Sequence, residues 1–139
     1  MYTISEGICS TNAIFESLNP MGLSTHVLDT MHGCPAKGME VSLFSQESDL
    51  GEFKLMKRFI LNADGRNPDG LLVEHDKLEA RRYRLQFNVG EYFELRGVQL
   101  ESPTFLDMVN LDFGVSRPLE HYHVPLLVSP WSYSTYRGS

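Results

Sequence analysis

From Leu23 onward the chain alternates short runs rich in β-branched, aromatic and aliphatic residues with clusters of Gly, Pro, Asn and Asp. Such alternation is the signature of strands joined by turns, because the clusters supply the special backbone angles that reversals need. Strands are expected at 23–29, 39–45, 53–61, 71–73, 82–89, 108–115, 121–128 and 132–136, with punctuation at 33–38, 62–70, 116–118 and 129–130. One segment breaks the pattern. Gly90-Glu91-Tyr92-Phe93-Glu94-Leu95-Arg96-Gly97 is bounded by glycines and sets Tyr92 with Leu95, and Phe93 with Gly97, on shared helical faces, so a short helix is expected there. The fold class that follows is all-β, a sandwich of about eight strands with one short helix.

Residues 1–22 read differently: Ser, Thr, Asn and Gly dominate and Asn19-Pro20 closes the stretch. Asn12 is placed to cap a short helix through Leu18, yet an isolated helix of that length is marginal in water. We therefore expect a flexible N-terminal extension at 1–22 and one domain at 23–139. The 139 residues leave no room for a second full domain, and a domain near this size buries roughly two-thirds of its unfolded surface, so a core forms without disulfides. Cys9 and Cys34 match no metal or redox spacing, which points to a reducing compartment. With 12 basic against 18 acidic side chains the net charge is −6, and the chain repels phosphate backbones and anionic membranes. Neither nucleic acid nor a membrane is expected as a partner. No apolar run is long enough to span a bilayer, no basic region precedes an apolar one at the N-terminus, and Arg137-Gly138-Ser139 is not the peroxisomal Ser-Lys-Leu signal. The default compartment is cytoplasmic.

The chemistry-bearing region is 121–139, which contains no Asp or Glu. On a strand His121 and His123 share one face, while Tyr122, Val124, Leu126 and Val128 form an apolar opposite face. A bare His-x-His is more often a pair of solvated side chains than a site, and a tyrosine-rich tail is more often frayed than functional. His26 lies in the first strand on the side of Ser24 and Leu28, and Arg66 lies in the Asp64-Gly65-Arg66 turn. Each alone is ordinary, the first as a structural histidine and the second as a solvated loop tip.

Together these pieces resemble one family. Leu23-Ser24-Thr25-His26-Val27-Leu28-Asp29, followed by Gly33, Pro35 and Gly38, is similar to the N-terminal motif of 5-hydroxyisourate hydrolase, the transthyretin-related enzyme of urate breakdown. Ala63-Asp64-Gly65-Arg66 is similar to its middle motif. His121 through Ser139, ending in Tyr136-Arg137-Gly138-Ser139, is similar to its terminal signature almost residue for residue. Arg82-Tyr83-Arg84-Leu85 and Gly90-Glu91-Tyr92-Phe93 fall where the family has a strand and a short helix. The resemblance runs in order from 23 to 139. It departs at Ser102-Pro103-Thr104-Phe105-Leu106, where the family usually carries a Phe-Phe-Pro or Tyr-Pro element, and that departure bears on local packing.

The resemblance implies a transthyretin-like β-sandwich assembled as a homotetramer, with active sites where dimers meet. It implies a small-molecule purine derivative, 5-hydroxyisourate, as substrate, opened by water at a cyclic amide bond to 2-oxo-4-hydroxy-4-carboxy-5-ureidoimidazoline. Such a reaction needs an activated water, oxyanion stabilisation and a proton for the leaving nitrogen. Histidine exchanges a proton near neutral pH, so His26 and His123 take those transfers jointly, with the base not assigned between them. Arg66, planar and always cationic, suits the carbonyl oxygens of a flat ring. By resemblance Ser139 completes the catalytic set, and Tyr136, Arg137 and Gly138 bind substrate with His26 and Arg66. His121 is either a supporting side chain or exposed. No cofactor and no metal is expected; His26, His121 and His123 are a grouping that zinc accepts, but bound zinc would be adventitious or inhibitory. A carrier of the transthyretin kind and a non-catalytic interaction module are the alternatives, and neither needs His26, Arg66, His123 and the polar tail at once.

Overall fold

The computed structural model describes residues 21–138; the helix expected from Asn12 to Leu18, and Ser139, lie outside the described residues. Within them the chain forms β1 (Gly22–Asp29), β2 (Cys34–Pro35), β3 (Glu40–Gln46), β4 (Phe53–Ile60), β5 (Val73–Glu74), β6 (Arg81–Asn88), α1 (Val89–Leu95), β7 (Met108–Val115), β8 (Tyr122–Val128) and β9 (Tyr133–Thr135). One sheet has the order β2-β1-β8-β9, with β5 also on β1, and the other has the order β4-β3-β6-β7. Every strand expected from the sequence is present, with bounds moved by up to two residues at most ends. The added strand is β2, a two-residue piece inside the Gly33–Gly38 turn that pairs with Leu28 and Asp29. It carries no alternation to read, and its proline is one the sheet edge tolerates.

Period-two alternation builds the core. Tyr83, Leu85 and Phe87 of β6 point inward against Val41 and Leu43 of β3 and against Leu23, Val27, Leu126 and Val128 of the facing sheet, all buried. Fully burying one such side chain contributes about 1.5–3 kcal/mol before ordering costs are set against it. On β1 the inward set is Leu23, Thr25, Val27 and Asp29, which turns Ser24, His26 and Leu28 to the other face. The two polar members of the inward set are satisfied. Thr25 Oγ1 donates to the Val124 carbonyl at 2.7 Å. Asp29 accepts from the His32 amide at 2.9 Å, the His32 ring at 2.6 Å and the Tyr92 hydroxyl at 2.7 Å.

The Tyr92 contact fixes α1 to the end of β1. The helix buries Val89, Gly90, Tyr92 and Phe93. It ends before Gly97, whose φ of 85° is one that glycine adopts without strain. The pairing that matters most for function is β1 with β8, the one parallel pair among the described strands, which sets Ser24 opposite His123 and His26 opposite Pro125.

Candidate active site

Four backbone strips lie side by side on the outer face of the β1–β8 sheet: the 62–66 turn, β1, β8 and the tail. The turn docks on the β1 edge away from β8, where the Val27 amide donates to the Gly65 carbonyl at 3.0 Å. A Cβ at Gly65 would fall 2.6 Å from the Val27 carbonyl oxygen, and its φ of +73° also calls for glycine. Asn62 organises the turn. Its side-chain oxygen accepts from the amides of Asp64 at 2.9 Å and Arg66 at 3.1 Å, and its own amide donates to the Arg66 carbonyl at 2.9 Å. Arg66 is left exposed, with no ion-pair partner among the described residues.

On the other side of β1, the parallel register brings Ser24 between two imidazoles. Its Oγ lies 2.8 Å from His123 Nδ1 and 3.2 Å from His121 Nε2. The Gly22 amide donates to His121 Nδ1 at 3.2 Å. The rings of His121 and His123 are nearly parallel, with centroids 6.5 Å apart. The tail then closes over His123: the Gly138 amide donates to the His123 carbonyl at 2.7 Å. A Cβ at Gly138 would sit 2.7 Å from His123 Cδ2, so only glycine lets the tail pass this close to the ring.

Electrostatics sets the protonation of this group. Burial pushes His123 down to about 4, with Arg66, His121 and His26 adding to the effect. His26 is lowered first by burial and then by Arg66, opposed by its hydrogen bond to the Asp64 backbone and by the Asp64 carboxylate. His121 is lowered by burial, with the Arg137 charge in the same direction. At neutral pH the cluster is therefore a set of uncharged imidazoles beside a fixed guanidinium. Such a set offers an acceptor nitrogen for a proton and donors for developing negative charge.

Of the residues expected from the sequence, His26, Arg66, His123 and Gly138 meet here, His121 joins them, and Ser139 lies outside the described residues. Tyr136 is exposed and follows β9, whose Thr135 pairs with Leu126. Arg137 turns to the opposite face, where it donates to Glu120 at 2.9 Å and to the His121 carbonyl at 3.1 Å and lies 4.0 Å over the Tyr122 ring. A groove of about 450 Å³ between β7 and the β8–β9 side is lined by Tyr122, Tyr136 and Arg137 among others, and by none of the three histidines. Ser24 and Asn62 have roles the sequence did not assign. Ser24 shares a face with His26 two residues on, but its histidine partners are set by strand register, which no local pattern reveals. No group of three or more His, Cys, Asp or Glu among the described residues is arranged to hold a metal ion.

The model of the HIUase/Transthyretin family matches residues 23–138. The chain is 49% identical over 121 residues to a 5-hydroxyisourate hydrolase of Pseudomonas aeruginosa, covering 86% of this chain and 94% of that protein. Among solved structures it is similar to (S)-allantoin synthase, with a TM-score of 0.80 and 42% identity over 86% of this chain; it spans only 44% of that protein. Sea bream transthyretin in complex with thyroxine has the same fold, with a TM-score of 0.70 at 26% identity, over 84% of this chain and 93% of that one.

Proposed function

The chain belongs to the HIUase/Transthyretin family, and from that premise we propose that it is a hydrolase that opens 5-hydroxyisourate with water at the cyclic amide bond. Its curated relatives carry that activity in their names at 43–50% identity over most of the chain. The single observation that carries the reading to this molecule is the convergence of His26, His123 and the unpaired Arg66 on one outer face of the β1–β8 sheet. A carrier needs no such set: neutral histidines beside a free cation suit proton transfer and oxyanion binding more than the grip on an apolar ligand.

In this reading Arg66 holds carbonyl oxygens of the flat ring, His26 and His123 divide the proton and oxyanion work, and Gly138 admits the tail to the site. Ser139 follows Gly138 in sequence and is taken as part of the set, with Tyr136 on the substrate side. Arg137 is read as the brace of the tail, through Glu120 and the Tyr122 ring, rather than as a group that touches substrate. The assembly is a homotetramer in which neighbouring copies complete the site.

The test is the ultraviolet decay of freshly generated 5-hydroxyisourate. Wild-type protein accelerates it, and His123→Ala and Arg66→Ala each lower kcat by roughly 10²- to 10⁴-fold, the range of a lost proton-transfer or oxyanion group. Arg66→Lys does not restore the rate, since a point charge lacks the planar fork. Decay no faster than buffer from folded wild-type protein would move the transthyretin-like carrier to first place.

A further inference from the structure

The hydrogen bonds that run from Gly22 to His123 have one direction in which, with both rings neutral, every donor along the path meets an acceptor. A backbone amide can only donate, so His121 Nδ1, which accepts from Gly22 at 3.2 Å, is unprotonated and the ring proton sits on Nε2. That Nε2–H faces Ser24 Oγ at 3.2 Å and donates to it. The hydroxyl then has its own proton free for the remaining neighbour, His123 Nδ1, at 2.8 Å. With His123 Nδ1 as the acceptor that proton is satisfied, which sets the proton of the neutral His123 ring on Nε2; a His123 Nδ1–H would make Ser24 Oγ accept twice and leave its hydroxyl proton without a partner on this path. The reverse direction would set a His121 Nδ1–H against the Gly22 N–H, donor against donor.

We propose that Ser24 and His121 are positioning residues that lock His123 as the Nε2–H tautomer, so that His123 serves as a hydrogen-bond donor to the oxyanion and His26 is the base. The inference rests on the hydrolase reading and divides its labour between the two histidines. His26 takes a proton from water as the water oxygen bonds to the amide carbon. The carbonyl electron pair moves to oxygen, where His123 Nε2–H and the Arg66 guanidinium receive it without any proton leaving His123. The oxyanion pair then returns to re-form the C=O bond as the C–N bond breaks; the C–N pair goes to nitrogen, which takes the proton from His26, and His26 is neutral again. A neutral imidazole suits this task because it donates without competing as an acid, as a histidine with lowered pKa does in other carbonyl chemistry. Burial and the charges facing His123 from Arg66, His26 and His121 keep it neutral at pH 7.

The experiment is nitrogen-15 NMR of the histidine side chains in the full-length protein at pH 7, run beside the decay assay. Wild-type His123 is expected to show an unprotonated Nδ1 and a protonated Nε2. Ser24→Ala removes the lock, giving a mixture of tautomers and lowering kcat about tenfold with KM little changed, the effect of one lost hydrogen bond between neutral groups. Ser24→Thr keeps the hydroxyl and restores both the tautomer and most of kcat, which loss of packing alone would not explain. A wild-type proton on His123 Nδ1 would overturn the proposal, as would a Ser24→Ala protein with unchanged tautomer and unchanged kcat. Wild-type protein with the Nε2–H tautomer but no turnover would instead overturn the hydrolase reading and the donor role with it, while the lock itself would stand.

Discussion

At Gly138 a single methyl group decides whether the tail and His123 can coexist. With a Cβ 2.7 Å from His123 Cδ2, Gly138→Ala must displace either the ring or the tail. Misplacement of a reacting group by about 1 Å can cost roughly 10²-fold in rate, and that loss is expected in kcat with an unchanged melting temperature. The assay that checks it is substrate decay beside a thermal melt. The lowered histidines make a second prediction. In the proposed mechanism His26 must be neutral to accept a proton, and protonation removes that capacity, so activity should be lost as pH falls through the folded-state value. Because burial and Arg66 hold His26 below 6.5, the acid limb of kcat/KM should be centred below 6.5; a limb centred at or above 6.5 in the pH–rate profile would contradict it. His26, Arg66 and His123 stood out in the sequence only through the family resemblance, each alone being ordinary. The bridging of two imidazoles by Ser24 was not legible, because nothing in Leu23–Asp29 says that the strand 99 residues away lies parallel and in this register.

Among the elements, α1 shows how a buried carboxylate holds a fold together. Tyr92 reaches from the helix to Asp29 at 2.7 Å, and burial together with that carboxylate holds its hydroxyl protonated well above the usual phenol range. Tyr92→Phe leaves Asp29 short of one donor, and a hydrogen bond to a charged group contributes about 1.5–3 kcal/mol. Denaturant unfolding should show the stability falling by that much, through a lower midpoint with the slope unchanged, and no change in kcat, since Asp29 lies at the far end of β1 from Ser24. The helix itself was readable from its bounding glycines, and the strands from their alternation. What was not readable is β2, whose Cys34 and Pro35 pair only because the Gly33 turn folds them back onto Leu28 and Asp29. Likewise 71–73 was expected as a strand, but Leu71 and Leu72 precede the paired residues Val73 and Glu74. Short strands are set by their partners more than by their own sequence.

For the whole molecule, the three depressed histidines bear on stability as well as rate. Their unfolded value is about 6.5 and their folded values lie lower, His123 at about 4. Below 6.5 the unfolded chain binds protons that the folded one refuses, so stability present above that pH is lost progressively as pH falls towards 4. Thermal melts should show this decline in a window above the one where Asp29 and Asp112, both lowered from 3.8, lose their stabilising ionisation. Light scattering tests the homotetramer: a stable, active monomer would remove the shared-site reading. The parallel pairing of β1 with β8 carries a last consequence, for synthesis. It joins one of the first strands made to one of the last, and such distant pairings close late and slowly. A nascent chain on the ribosome can finish much of the β3–β4 and β6–β7 pairing before β8 has emerged, and a chain that stops short of β8 lacks the His123 of the proposed site.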